Sequence, residues 1–600
     1  MTTRVSSPKT VSINNESYRL NSPVVRQPTS QYAPKIVIGD TTKDSYSRTS
    51  AVTWSDFRSG HGVYRIRDEG DFDRVWNSGA QLWYENHLVK SRLATLTANP
   101  SLSGTVTTIG ERKSSSNSIM ATWGNGTDVR AYNNGTDSWG SSLDTLGAAA
   151  TDVLSSFRMP DDTEYTTWAF TSGYTYYDGS TFEDSAKAAK YLAFWDNRLW
   201  GIDNTGQLWF SMIIGTETND AKLPLPDGYV SRLFVGPDAG GERILYAATV
   251  DGLWAHDAAN ARFVETDVKF PRHQYGGHGA TTWNGLIYIS AGMAVYEYNP
   301  RAGIVRSIGL DRDAGVVTDF RGRFEKLIPT QVALVGLTIN TSSSNELWGW
   351  NERGWQRLTG GSFAPLVSND IHISSAYDAY RLYWTTTGPR VRYMSFPSEV
   401  SNPSEDSISY SATVDGHQLP FFDGFQNETD KLAVRLHVEV SGASSDETVA
   451  VAYYLNFGTS STSLGTITSD GVTTYTFQTG GVDSGLEFRN ISFLFNLDRG
   501  DTATNSPDIR RITFEYRKKQ PAKWGFTVDI DHKERIEGRS PETQLDDLRT
   551  AIESNTLVEL VYRDRDDNAE NYFVDIVNAE FVEQTGNEFE GITRLTCTEI

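Results

Sequence analysis

The sequence predicts a mainly β chain organised around a β-propeller, and three observations predict it. The first is composition. Of 600 residues, 12% are Phe, Trp or Tyr and 51 are Gly, against only 6 Met. Aromatics and Gly, together with abundant Ser and Thr, favour strands and tight turns over helical bundles. The second is a recurring unit: an aromatic strand, a Gly turn, a second aromatic strand, then Asp or Asn with Gly or Pro. It reads IMATWGNGTDVRAYNN at 119–134, YTTWAFTSGYTYYDG at 165–179 and YLAFWDNRLWGIDNTGQLWFS at 191–211. It returns as ILYAATVDGLWAHD at 244–257, TTWNGLIYISAGMAVYEYNP at 281–300, ELWGWNERGWQRL at 346–358 and YDAYRLYWTTTGPRVRYMS at 377–395. The third is spacing. Seven turns between Gly126 and Gly388 give about 44 residues per unit, the length of four short strands or one blade. A blade cannot bury both faces alone, so neighbours must stack around an axis, and Trp and Tyr supply the area between them.

The elements follow in order. Residues 1–50, rich in Ser, Thr, Asn and Pro, read as an extended arm ordered only by packing on something else. Residues 51–110 read as a lead-in segment whose strands run into the propeller, and 111–402 as the propeller itself, with about seven blades. From 403 to 530 the aromatic repeat stops. Long alternating runs such as KLAVRLHVEV, ETVAVAYYLNF and LEFRNISFLFNL take over, the pattern of an antiparallel β-sandwich. Residues 531–600 carry the clearest helix signal: Ser540 as N-cap, Pro541 at the first position, and Leu545, Leu548 and Ile552 on one face. With the strands LVELVYRD, NYFVDIVNAEFVEQ and ITRLTCTEI this predicts a small α+β oligomerisation domain.

Charge narrows the partners. The net charge is -22, and residues 401–600 hold 35 acids against 17 bases. An acidic chain lacks the basic face that phosphates need, so sequence-specific nucleic-acid binding is not expected. No run approaches the 18 or so apolar residues of a membrane span, and the N-terminus has no signal-peptide core. A single Cys, Cys597, forbids an intrachain disulfide and reads as a small core residue.

Chemistry-bearing patterns are sparse. Asp564, Asp566, Asn568, Glu570 and Asp575 match a calcium-loop spacing, but Ala569 stands where that loop needs Gly, and a hairpin turn explains the same residues. His273 and His278 lie in a Gly-rich loop, RHQYGGHG, with no carboxylate near in sequence, a weak metal signal. Arg390, Arg392 and Tyr393 show the residue types of a sialidase but not its repeated turn. No catalytic residue, metal ligand or cofactor site is predicted, and the chain is expected not to be an enzyme. The run Arg510, Arg511, Arg517, Lys518, Lys519 and Lys523 holds only Glu515 as counter-charge. It reads either as a guard against stray edge pairing or as a dock for an acidic neighbouring subunit.

Three segments carry a resemblance: TWSDFRSGHGVYRIRDEGDFDRVWNSGAQLWYENHLV at 53–89, SPDIRRITFEYRKKQPAKWGFTVDID at 506–531, and the terminal module at 540–600. Together they resemble structural tail proteins of tailed bacteriophages, the last being similar to the small ring-forming domain of tail-tip and baseplate proteins. The resemblance implies a non-enzymatic virion protein made in the bacterial host cytoplasm, at the distal tail or baseplate or on the tail tube. It implies copies in a threefold or sixfold ring, contacts with other phage tail proteins, and an acidic C-terminal region that lines a DNA channel. Two other readings stand beside it: a host-attachment module that binds a surface glycan, and a propeller glycoside hydrolase.

Overall fold

The computed structural model describes residues 3–4, 10–29, 49–61, 77–78, 81–82, 89–90, 96–98, 104–113, 118–133, 138–310, 322–339, 345–359, 370–375, 380–385, 390–396, 409–412, 414–424, 430–478, 485–518, 523–554, 556–563, 568–585 and 588–599. They form two compact units. One comprises residues 1–49, 429–431 and 517–600; the other comprises 50–428 and 432–516.

The larger unit contains the propeller. Seven antiparallel sheets follow one another from Ile109 to Ser395, and each of the seven repeat segments falls in a successive sheet. Their first strands are Ile109–Arg112, Asp152–Arg158, Tyr191–Trp195, Val230–Pro237, Thr281–Trp283, Arg323–Pro329 and Ile371–Ser374. Each touches the next, and the seventh touches the first, so they ring a central axis. The seventh blade takes its fourth strand, Leu96–Ala98, from ahead of the first blade, pairing Val391 with Ala98. A strand from one end of the ring thus completes the sheet at the other. Trp168, Trp209, Trp348 and Trp384 are fully buried, as expected of the inter-blade packing. Turn chemistry sets the hairpins: Asn284 at φ 47° and Gly285 at φ 75° make the left-handed pair between Thr281–Trp283 and Leu286–Ala291.

The sandwich in the same unit has two sheets. One orders Thr462–Ile467, Thr448–Leu455, Ile491–Asp498, Asp415–Gln418 and Asn77–Ser78; the other orders Gly471–Thr476, Lys431–Ser441, Asp508–Lys518, Val89–Lys90 and Gln81–Leu82. Alternating inward residues, among them Leu436, Val438, Val451, Phe493, Phe495, Ile512 and Phe514, form one core between them. Thr49–Trp54 also pairs with Asp508–Lys518 and puts Val52 and Trp54 into that core. The expected lead-in strands are therefore mostly sandwich strands; of them, Leu96–Ala98 belongs to the propeller. Asn77–Ser78 and Val89–Lys90 find partners more than 300 residues away, which no local pattern reveals.

The smaller unit is a closed β-barrel with one helix. Its sheet runs Thr3–Arg4, Val25–Thr29, Lys523–Asp531, Gly591–Glu599, Ala569–Gln584, Val558–Arg563, Thr10–Ile13 and Glu16–Arg19. The last strand returns to the third: Leu20 bridges Ile530, and the Asn21 N–H donates to the Asp529 carbonyl at 2.9 Å. The N-terminal arm is thus not an extended tail. It supplies barrel staves, burying Val11, Ile13, Tyr18 and Val24 against Val528, Leu560 and Leu595. The helix spans Pro541–Ile552 with Ser540 as its cap, its side chain accepting from the Thr543 N–H at 3.2 Å. Its buried face is Gln544, Leu548 and Ala551, not Leu545, Leu548 and Ile552; Ile552 is 40% exposed. Gln544 can be buried because its amide donates to the carbonyls of Glu534 and Arg539 at 3.0 and 3.3 Å.

Candidate functional site

The propeller axis is where a propeller would hold chemistry, and here it is lined by charge. Four inner-strand or strand-start residues from four blades form one network: Asp152, Arg232, Lys326 and Asp370. Arg232 donates to Asp152 at 2.9 Å and also feels the Asp370 carboxylate, while Lys326 pairs with Asp370. The other Asp370 oxygen accepts the Ile109 N–H at 2.9 Å, tying the seventh blade to the first. Nearby, His372 lies 3.4 Å from Glu111, and His278 lies 2.9 Å from Glu325, which also accepts from Arg323 at 3.3 Å. Burial pushes the Glu111 carboxyl up, but hydrogen bonds from His372 and Ser374 outweigh it and hold the group below the usual carboxylate range. Glu325 is lowered in the same way, burial being outweighed by His278 and then Arg323. A general acid of glycoside hydrolysis needs the opposite displacement. What the arrangement does is pin blades together across the axis.

The residues singled out from sequence fall as follows. His273 and His278 sit beside the inner ring, and folding brings His278 the carboxylate its neighbourhood lacked, Glu325 from the next blade. Among the described residues no three metal-ligating side chains converge. Arg392 and Tyr393 lie in the third strand of blade seven and Arg390 just before it, away from the inner strands. Asp564 and Asp566 lie outside the described residues; on either side of them Arg563 pairs with Ala569, and Glu570 accepts from the Tyr572 hydroxyl at 2.7 Å. Cys597 is a buried barrel residue, and burial, followed by the Asp575 charge, pushes its thiol up to about 12.

Two surfaces stand out instead. In the barrel unit, strand Ala569–Gln584 is 16 residues long, and every residue from Val577 to Gln584 is exposed. With Gly591–Glu599 it forms a ribbon that carries Val577, Phe581 and Val582 at 63%, 44% and 48% exposure. Register shifts at Ile576/Asn578 and Phe581/Glu583 bulge the strand, turning side chains that simple alternation would hide. At its base a 480 Å³ groove is lined by Ile552, Leu557, Val558, Val574 and Ile576. Alternation in NYFVDIVNAEFVEQ gave the strand, but not the exposure of its second half.

The second surface is the outer face of a sandwich sheet. Arg510, Arg511 and Arg517 are exposed on Asp508–Lys518, and Arg435 is exposed on the neighbouring strand. Arg511 pairs with Glu439 at 2.8 Å, and His437 lies 3.5 Å from Glu515. Asp508–Lys518 is interior to its sheet, with strands on both sides, so these cations do not guard an edge. Lys519 lies outside the described residues, and Lys523 opens a strand that is likewise interior in the barrel.

The fold is that of a seven-bladed propeller inserted in a sandwich, with a barrel built from both ends of the chain. No family model and no curated protein matches the sequence. Solved propellers are similar in fold. Virginiamycin B lyase from Staphylococcus aureus superposes with a TM-score of 0.38 at 10% identity, covering 51% of this chain and 99% of that one. The Pan2 WD40 domain of Neurospora crassa gives 0.35 at 10% identity, over 52% and 96%. The computationally designed Ika8 protein gives 0.36 at 10%, over 51% and 100%.

Proposed function

We propose that this chain is a non-enzymatic structural subunit of a bacteriophage tail, at the distal tail or baseplate or on the tail tube, that assembles with copies of itself around the tail axis. The observation that carries this reading is the barrel ribbon. Apolar side chains exposed along this strand are costly in water and gain by burial against a neighbour, at roughly 25 cal/mol per Å². The axial acids favour the non-enzymatic side of the reading, because Glu111 and Glu325 are held ionised and paired with bases. The propeller then serves as a rigid spacer or outer decoration, and the acidic C-terminal region as a channel wall from which DNA is repelled. Of the exposed large hydrophobic side chains among the described residues the aromatic ones are Phe573 and Phe581, both on the barrel strand and neither on the propeller.

The test is the mass of the purified protein by light scattering, with and without Val577→Asp and Phe581→Asp together. The wild type is expected as a ring of three or six, and the double variant as a monomer with an unchanged melting profile. A wild type that stays monomeric at all concentrations and never enters a particle sinks the reading.

A further inference from the structure

The exposed arginines need a function once the edge-guard explanation is gone. An interior strand has both its backbone edges paired, so it has nothing to protect from stray pairing. Yet Arg435, Arg510, Arg511 and Arg517 are exposed on these two neighbouring strands, where Arg511 pairs with Glu439, Arg510 donates to the Ser441 hydroxyl and Glu515 lies near His437. On that face Arg435 stands opposite Thr476, His437 opposite Thr474 and Glu439 opposite Val472, which is 58% exposed. Cationic and dotted with methyl groups, it suits a partner that is acidic and apolar at once.

The barrel ribbon has that chemistry. Residues 551–600 carry 12 acids against 3 bases. Glu580, Glu583 and Glu588 are exposed on the ribbon or its tip, beside Val577, Phe581 and Val582. Glu583 has a local partner, Lys533 at 3.1 Å, an exposed pair that exchanges readily, and Glu580 stands opposite Arg594, whose guanidinium is already bonded to Asp529.

We propose that the acidic, apolar ribbon of one copy docks on the arginine face of the sandwich sheet of the next copy. This inference rests on the self-assembly reading and names its contact. The contact is heterologous, since ribbon and face are different surfaces, and a heterologous contact closes into a ring when its rotation allows. Opposite charges set register and partner choice, and the apolar side chains supply the buried area.

A charge-exchange experiment on the full chain tests it. One variant carries Arg435→Glu and Arg510→Glu; the other carries Glu580→Lys and Glu588→Lys. All four positions are exposed, so both variants are expected to fold, which far-UV circular dichroism and melting check. Alone, each variant should associate at least 10-fold more weakly than wild type in sedimentation, and wild-type association should weaken with salt. Mixed one to one, they should associate again, because the reversed face of the first now fits the reversed ribbon of the second. Variants that assemble like wild type, or a mixture that stays dissociated, overturn the proposed contact while leaving assembly itself intact. Recovery only when all four changes share one chain overturns it too, because the contact is then within a copy. A wild type that never associates removes the assembly reading instead.

Discussion

His417 is fully buried in the sandwich, its ring 5.0 Å from that of Phe57 and 6.3 Å from that of Phe495. Burial, reinforced by the charge of His61, lowers its pKa to about 3. The folded state therefore holds the neutral ring while the unfolded chain takes up a proton near 6.5. Below that pH the unfolded state binds more protons, so stability falls as pH drops from 6.5 toward 3 and is fully present above 6.5. In the limit the loss is on the order of 3–5 kcal/mol. His532, buried in the barrel and lowered to about 4 by burial, adds the same sign there. We expect urea midpoints to fall between pH 7.5 and pH 5, and to fall less in a His417→Phe variant. Equal slopes in the two proteins would show that His417 is not the responsible group. A second residue-scale prediction concerns Gly354. A Cβ there would stand 1.8 Å from the Ser59 carbonyl oxygen, a backbone atom that cannot swing away. Gly354→Ala should lower the melting temperature of the larger unit by several degrees, at least about 2 kcal/mol, read by calorimetry.

At the scale of elements, the barrel staves from the N-terminus bear the most weight for their length. Thr10–Ile13 and Glu16–Arg19 have four residues each, yet they join Val558–Arg563 and lead to the bridge that closes the sheet. Tyr18 is fully buried among the core residues. Tyr18→Ala should cost about 3–5 kcal/mol in that unit alone, seen as a shift in one melting transition while the propeller transition stays. These staves were illegible in sequence for a physical reason. A two-residue alternation, Val11 and Ile13, is too short to separate from loop, and its partners sit more than 500 residues further on. The blades were legible because each carries its own turn and its own aromatic pair within 40-odd residues, so local signals repeat the global fold. The sandwich strands were legible from alternation, but their order was not, since strand order is decided by pairings across the inserted propeller. The axial network was hidden altogether. Asp152, Arg232, Lys326 and Asp370 are ordinary charged residues until ring closure brings four blades to one axis. The helix face was misplaced by one position at two of its three residues because Gln544, a polar side chain, is buried through bonds to two carbonyls that sequence does not show.

At the scale of the molecule, the chain is nested: barrel strands come first and last, sandwich strands lie inside them, and the propeller lies inside the sandwich strands. Folding must follow that order from the inside out. Propeller strands pair with near neighbours, and only Leu96–Ala98 must wait for Val391–Ser395. Barrel closure needs Leu20 to meet Ile530, so it cannot occur until nearly the whole chain exists. The consequence for assembly is direct. The ribbon Ala569–Gln584 belongs to the unit that closes last, so under the proposed self-assembly an incomplete chain has no ribbon with which to join a ring. A chain ended after Lys518 should therefore keep the propeller and sandwich but leave residues 10–29 without the barrel strands they pair with, a lone hairpin being marginal in water. Hydrogen exchange is the measurement: protection across 109–395 and 431–516 as in the full chain, with fast exchange at 10–29. Adding residues 523–600 as a separate fragment should slow exchange at Val11, Ile13 and Tyr18, since the strands that pair with the arm all lie in that fragment. Protection at 10–29 in the truncated chain alone would mean that the arm has another partner and that barrel closure does not gate assembly.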